Sequence, residues 1–178
     1  MNDTTRHFHG RFLALAERDN WEFATRVNAS GVAVLVPVTP EGCLVLVEQY
    51  RIPVEGRVVE LPAGLVGDGA DPKEGLLAAA QRELEEETGF RAGLLRPLLD
   101  CPSTAGLSDE IVTFILAEEL EKVGPGGGDD SESIEIHLVD LESADSWLRE
   151  RQSAGVYLDP KLFTALYWLE HREWLGTS

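Results

Sequence analysis

The stretch QRELEEETGF, residues 81–90, crowds Glu83, Glu85, Glu86 and Glu87 into five positions and stops at Gly89. It closes the longer segment DPKEGLLAAAQRELEEETG (71–89). There Asp71 stands at an N-cap position, Pro72 at the first helical position and Glu74 three residues after the cap, with Gly89 as terminator, so the segment is predicted to be a helix. Residues three and four apart share a helix face, which puts Glu83, Glu86 and Glu87 on one side and turns Glu85 away. Leu77, Leu84 and the alanines supply the buried side, and Arg82 reaches Glu86 one turn on. Like charges four apart, as in Glu83 and Glu87, cost roughly a few tenths of a kcal/mol, and the negative end of the helix dipole adds to that cost. Two readings compete: a solvated acidic stripe, or a cage for a divalent cation that turns the repulsion into binding. Mg²⁺ suits the second, because it takes carboxylate and water oxygens and keeps waters that a phosphate can displace. The corner ELPAG (60–64), just before the helix, offers a backbone carbonyl as a neutral ligand.

The chain has 178 residues, enough for one sizeable domain, and its 43% hydrophobic and 26% charged content is that of a folded globular protein. Its formal charge of −17 argues against a groove for nucleic acid, which calls for a basic patch. A small phosphorylated ligand remains open, and metal ions or local arginines would have to receive it. Cys43 and Cys101 show no CxxC spacing and read as reduced thiols, which points to the cytoplasm. The N-terminus MNDTTRHFHGRF lacks an apolar signal region, and no apolar run approaches the roughly 20 residues of a membrane span, so a soluble protein is expected.

Strands are predicted over WEFATRV (21–27), GVAVLVPV (31–38), CLVLVEQYR (43–51) and RVVELPAG (57–64), joined by hairpin-like connections, with LVGDGAD (65–71) as a loop. Further strands are predicted within 91–106, 110–120 and 133–141, with KVGPGGGDDSES (122–133) as a flexible acidic loop. SADSWLRERQ (143–152) and DPKLFTALYWLEHREW (159–174) read as helices, the last capped by Asp159 and Pro160 with Leu162, Phe163, Leu166, Leu169 and Trp174 as its apolar face. The order of elements implies a single α+β domain, an α/β sandwich with helices on a largely β core.

Arg82, Glu83, Leu84, Glu86, Glu87, Gly89 and Phe90 match REUxEExGU, the second half of the Nudix hydrolase signature, and seven residues separate Glu74 from Arg82. The first half departs from it: nine residues rather than five separate Gly64 from Glu74, and in the other register Ala70 takes the place of the first glutamate. WEF, VLVEQYRIPV (45–54), ELPAG, PSTAGLSDE (102–110), the acidic loop before IEIHLV and the closing DPK helix extend the likeness over roughly residues 21–174. These resemble the ADP-ribose pyrophosphatase branch, which also cleaves other nucleoside diphosphate sugars.

The resemblance implies a Nudix-type α/β/α sandwich with a mixed β-sheet core, spanning 1–178 as one domain, with 1–30 as an N-terminal strand region that contributes to a homodimer interface. It implies Mg²⁺, with Mn²⁺ as a substitute, held by Glu83, Glu87 and the Ala63 carbonyl, with Glu86 as a shared ligand or supporting carboxylate. It also places a metal ligand or general base at Asp130 or Glu132, with Glu132 favoured. Arg82 belongs to the same catalytic box. Arg51 is a candidate diphosphate clamp, since guanidinium pairs bidentately with phosphate oxygens, or else a surface arginine ending a strand. Trp21 and Phe23 stack on the nucleobase or pack in the core, Arg26 carries the same ambiguity, and His137 reads as structural. The implied activity is hydrolysis of ADP-ribose to a nucleoside monophosphate and a sugar phosphate, with GDP-mannose as the main competing substrate and a non-catalytic ligand sensor as the rival class.

Overall fold

A computed structural model of the chain describes residues 4–67, 74–128 and 133–171. The strand region expected near the N-terminus is a separate antiparallel sheet of β1 (Thr5–His9), β2 (Leu13–Arg18) and β3 (Trp21–Arg26). Asp19 and Asn20 turn β2 into β3 with φ of 53° and 63°, the left-handed pair that a tight hairpin requires and that Asn and Asp tolerate best.

Two four-stranded sheets follow. One has the order β7 (Ala63–Val66), β4 (Gly31–Pro37), β9 (Ile111–Lys122), β8 (Phe90–Pro102). The other has the order β10 (Glu135–Asp140), β5 (Cys43–Arg51), β6 (Gly56–Glu60), β11 (Tyr157–Leu158). Only part of the expected hairpin pattern holds: β5 and β6 pair antiparallel, but β4 takes β7 and, in parallel, β9 as its neighbours, while β5 lies in the other sheet. Both β4 and β5 are nearly continuous apolar runs, suited to burial on both faces, and nothing local in such a run specifies its partner.

Among the described residues three α-helices cover the sheets: α1 (Leu76–Glu83), α2 (Ala144–Ser153) and α3 (Lys161–Glu170). The alternation along β4 shows how the layers stack. Val32, Val34 and Val36 join a core with Leu148 of α2 and Leu162, Ala165 and Leu169 of α3. Ala33 and Leu35 point the other way, into a core with Ala79 and Ala80 of α1 and Leu84 just after it. Helices on both sides of mixed sheets give the expected α/β/α sandwich. The predicted apolar face of α3 holds except at Phe163, which is exposed, while Ala165 takes the buried place; Trp174 lies outside the described residues. Leu77 is likewise exposed, and Leu76 packs in its stead.

Within the stretch read as a flexible loop, residues 123–128 form a clasp on the end of the acidic helix. The N–H groups of Val123 and Gly124 donate to the Gly89 carbonyl, Gly127 N–H to that of Glu87 and Gly128 N–H to that of Glu86, at 2.8–3.1 Å. These donors satisfy carbonyls that a helix C-terminus leaves without partners. Gly89 has a φ of 69°, and a Cβ there would fall 2.2 Å from the Gly124 carbonyl oxygen. Gly89→Ala therefore lowers stability by about 2 kcal/mol or more, through both φ and clash. Denaturant unfolding measures it, and a wild-type midpoint would refute the clasp.

Candidate active site

Five residues of the acidic segment, Leu84–Thr88, form a π-helical turn continuing α1. Such a turn bonds each N–H one residue further back than an α-turn and recurs at functional sites. The wider turn keeps residues four apart in line and carries residues three apart further round. Glu83 and Glu87 consequently face inward, with side chains 13% exposed for Glu83 and the whole residue 4% exposed for Glu87. Glu86 does not join them on that face: its side chain is 54% exposed and meets Arg82 Nη1 at 3.1 Å. Glu85 turns away as expected, to Arg91 and Gln81, and the hydrogen bond from Arg91 holds its carboxyl below the ordinary value.

Arg82 organises this cluster. Its Nη1 donates to Glu83 at 2.7 Å, and its Nε and Nη2 both donate to Glu74 at 3.1 Å. The hydrogen bond to Glu74, with Glu83 adding its charge, pushes Arg82 further above its ordinary value than burial lowers it. Glu74 lies before α1, whose N-cap position is Gly75, so it serves as the anchor of Arg82 rather than as the reciprocal partner of a capping box. The proposed cap, Asp71 with Pro72, lies outside the described residues.

Glu87 Oε2 accepts the Ala63 N–H at 3.1 Å, which ties the carboxylate to the start of β7. Ala63 thus reaches the cluster first through its amide, beside the position where its carbonyl was expected to act. At the next residue, a Cβ on Gly64 would fall 1.9 Å from Glu83 Cδ, so only glycine leaves room for that carboxylate against the strand. Because the obstructing atoms end a flexible side chain, Gly64→Ala is expected to keep a wild-type melting temperature while displacing Glu83. A misplacement of that kind costs roughly a hundredfold in rate. A variant that melts early, or that keeps full activity, would contradict the assignment.

Glu83 and Glu87 line a cleft of about 440 Å³ together with Ala63, Gly64, Arg26, Arg51, Glu60, Glu110 and Lys161. Of the residues singled out in the sequence, Arg26 and Arg51 are therefore gathered with the acidic pair. Each is held by a carboxylate: Arg26 Nε donates to Glu110 at 2.5 Å and Arg51 Nε to Glu60 at 2.7 Å. Trp21 and Phe23 are not among the lining residues. Trp21 is exposed, with its indole N–H on the Gly106 carbonyl at 3.3 Å, while Phe23 is buried on the packed face of the N-terminal sheet, under Arg18. The packing reading is thus the one that the surroundings of Phe23 fit. Asp130 and Glu132 lie outside the described residues. His137 is structural in its surroundings, its ring tilted at 57° to that of Trp147 with centroids 5.0 Å apart, and 3.3 Å from Glu48. Glu60, Glu110 and Lys161 lie in the stretches ELPAG, PSTAGLSDE and DPK, but the sequence assigned none of them a role; the folded topology brings them to the cleft.

Among the described residues no three of His, Cys, Asp and Glu converge as a closed metal cage. Two carboxylates at an open cleft nonetheless fit Mg²⁺, which is commonly held by one or two carboxylates and keeps waters for the substrate. Formally the lining carries four carboxylates against three cations, a net −1, so an anionic diphosphate would meet repulsion without an added cation.

The NUDIX domain family profile matches residues 28–159. The chain is 32% identical over 177 residues to the methanol dehydrogenase activator of Bacillus methanolicus, covering 96% of this chain and 91% of that protein. It is 37% identical over 148 residues to the ADP-ribose pyrophosphatase of Bacillus subtilis (strain 168), covering 83% and 76%. A crystal structure of an ADP compounds hydrolase superposes with a TM-score of 0.71 over 97% of this chain and 91% of that one; at 22% identity this bears on the fold alone. With the REUxEExGU box folded into the cleft and the family profile spanning most of the sequence, the chain belongs to the Nudix family.

Proposed function

We propose that this protein is a Mg²⁺-dependent pyrophosphohydrolase that splits the diphosphate of ADP-ribose, or of a related nucleoside diphosphate sugar, into a nucleoside monophosphate and a sugar phosphate. The observation that carries the reading is the meeting of Glu83 and Glu87 with Arg26 and Arg51 in one cleft. The similarity to an ADP-ribose pyrophosphatase over most of both chains supports the substrate class.

Glu83, Glu87 and the Ala63 carbonyl would hold the metal, with Mn²⁺ as a substitute. When bound, it lowers the pKa of a water and neutralises charge developing on the phosphate oxygens. Arg82 holds Glu83 in place, and Glu86, paired to Arg82 from the outside, acts as a supporting carboxylate. Arg51 and Arg26 offer guanidinium donors to the diphosphate, exchanging Glu60 and Glu110 for phosphate oxygens. A carboxylate takes the proton of the attacking water. Glu132 is assigned that role, with Asp130 as the alternative; both follow the Gly127–Gly128 clasp in sequence. Trp21, exposed at the edge of the N-terminal sheet, is available to stack on a base.

The functional unit is proposed to be a homodimer of one Nudix domain over 1–178, built through the 1–30 region, where Phe8, Leu13 and Leu15 are exposed together. Sedimentation at the monomer mass would refute it. Cys43 and Cys101 are both unpaired, which favours the cytoplasm, and no described helix is long and apolar enough to cross a membrane. The acidic surface speaks against nucleic acid as a partner.

Turnover of ADP-ribose, GDP-mannose, UDP-glucose and a nucleoside triphosphate tests the reading. A diphosphate sugar is expected to have the highest kcat/KM, and preference for the triphosphate would overturn it. If GDP-mannose leads, the activity stands and the base changes. Binding that raises the melting temperature without turnover would make the protein a ligand sensor.

A further inference from the structure

We propose that Lys161 is a substrate-binding cation of this cleft, contacting the diphosphate oxygens of the ligand, and that Asp159 holds it in readiness. The inference rests on the pyrophosphohydrolase reading above and adds a residue outside the Nudix box. In the sequence, DPK at 159–161 reads as the cap of a closing helix and as part of the family likeness, with no role given to Lys161. In the fold, Lys161 is the first residue of α3 and lines the same cleft as Glu83 and Glu87.

A lysine beside an aspartate at a helix start is ordinarily a surface pair of little consequence. Two observations set this one apart. The first is its support. Asp159 Oδ1 accepts the Lys161 backbone N–H at 2.7 Å while Oδ2 accepts Nζ at 2.6 Å, and the Asp159 N–H itself donates to the Val59 carbonyl on β6 at 3.0 Å. The pair is thus fastened to the sheet next to Glu60, and its side chains are only 29% and 13% exposed.

The second is charge. Arg26 and Arg51 each face a carboxylate that itself lines the cleft, Glu110 and Glu60. Lys161 differs, since its counter-ion Asp159 is not among the lining residues. An arriving phosphate can therefore meet this ammonium without displacing a carboxylate that would stay in the cleft and repel it. An ammonium has three donors, and Asp159 engages one of them. The remaining donors suit a tetrahedral anion approached as a point charge.

The test is equilibrium binding of ADP in the presence of Mg²⁺, by titration calorimetry, to the wild type, Lys161→Met and Lys161→Arg, with steady-state kinetics on ADP-ribose alongside. Loss of one charge-assisted contact weakens ADP binding by about tenfold in Lys161→Met, and Lys161→Arg recovers most of it. KM for ADP-ribose rises by a similar factor with a smaller change in kcat, and the melting temperatures stay together, which a purely structural lysine would not give. The proposal falls if Lys161→Met binds ADP like the wild type, or if the wild type binds no ADP. The two readings separate cleanly. Wild-type hydrolysis of ADP-ribose with unchanged ADP binding in Lys161→Met sinks Lys161 alone. Weakened ADP binding in that variant, with no sugar nucleotide hydrolysed by the wild type, sustains Lys161 and sinks the hydrolase.

Discussion

Glu87→Gln is expected to lose about a thousandfold in kcat, the rate equivalent of roughly 4 kcal/mol, if the carboxylate holds metal as proposed. Its stability should hardly change. Glu87 is buried, and its carboxylate accepts the Ala63 N–H, which a glutamine carbonyl can still accept. The contrast with Glu86→Gln is informative, because Glu86 is exposed and, among the described residues, meets the site through Arg82. That variant should lose one to two orders of magnitude, about what weakening a supporting contact costs. Single-turnover rates and melting curves for the two variants check both statements. Equal losses would mean that Glu86 enters the cleft in the working enzyme, against the geometry described above.

Glu48→Gln is expected to destabilise the fold by about 3 kcal/mol at neutral pH without touching the cleft. The Glu48 side chain is wholly buried on β5, where Arg57 Nε meets it at 2.5 Å, Arg151 of α2 holds its other oxygen, and His137 of β10 stands 3.3 Å away. It thereby joins β5, β6, β10 and α2. Burial alone would push its carboxyl up, but the hydrogen bonds and charges of Arg57 and Arg151 outweigh it and hold the group below the ordinary carboxylate value. A depressed pKa in the folded state means that the unfolded chain takes up the proton first as pH falls. The stabilisation is therefore complete above about pH 5 and is lost as the pH drops through the unfolded and then the folded value. Arg57 is 40% exposed, which keeps the figure at the low end for a buried pair. Denaturant unfolding at pH 7 and near pH 3 should show the gap between wild type and Glu48→Gln closing in acid. A gap of the same size at both would refute the ion-pair account.

What the sequence made legible is what is encoded locally. The acidic helix, the apolar run of β4 and the Gly89 stop each depend on residues within a turn or two, and each appears in the fold. Three kinds of feature were hidden. Strand pairing is one: VAVLV and CLVLV both say "buried", and neither says that the first pairs with β9, some 80 residues on in the register Val32 to Val112. The N-terminal strand TRHFH is another, exposed at all five positions and so without the alternation that reveals a strand. The π-helical turn is the third. Its effect, turning Glu86 out and Glu87 in, depends on a hydrogen-bond register that side-chain spacing does not record. The cleft shows the same division. The acidic pair came from spacing and Arg51 from its strand end, but Glu60, Glu110 and Lys161 reach the cleft only through the fold of the chain, and the clasp at 123–128 looked like a loop because glycines are what a close backbone approach requires.

The most direct test of a metal-dependent diphosphate-splitting cleft is product analysis of ADP-ribose incubated with the wild-type protein in Mg²⁺ and in EDTA. Equimolar AMP and ribose 5-phosphate, formed with Mg²⁺ and absent with EDTA, is the predicted result. Intact ADP-ribose in both, or the same products in both, would contradict it.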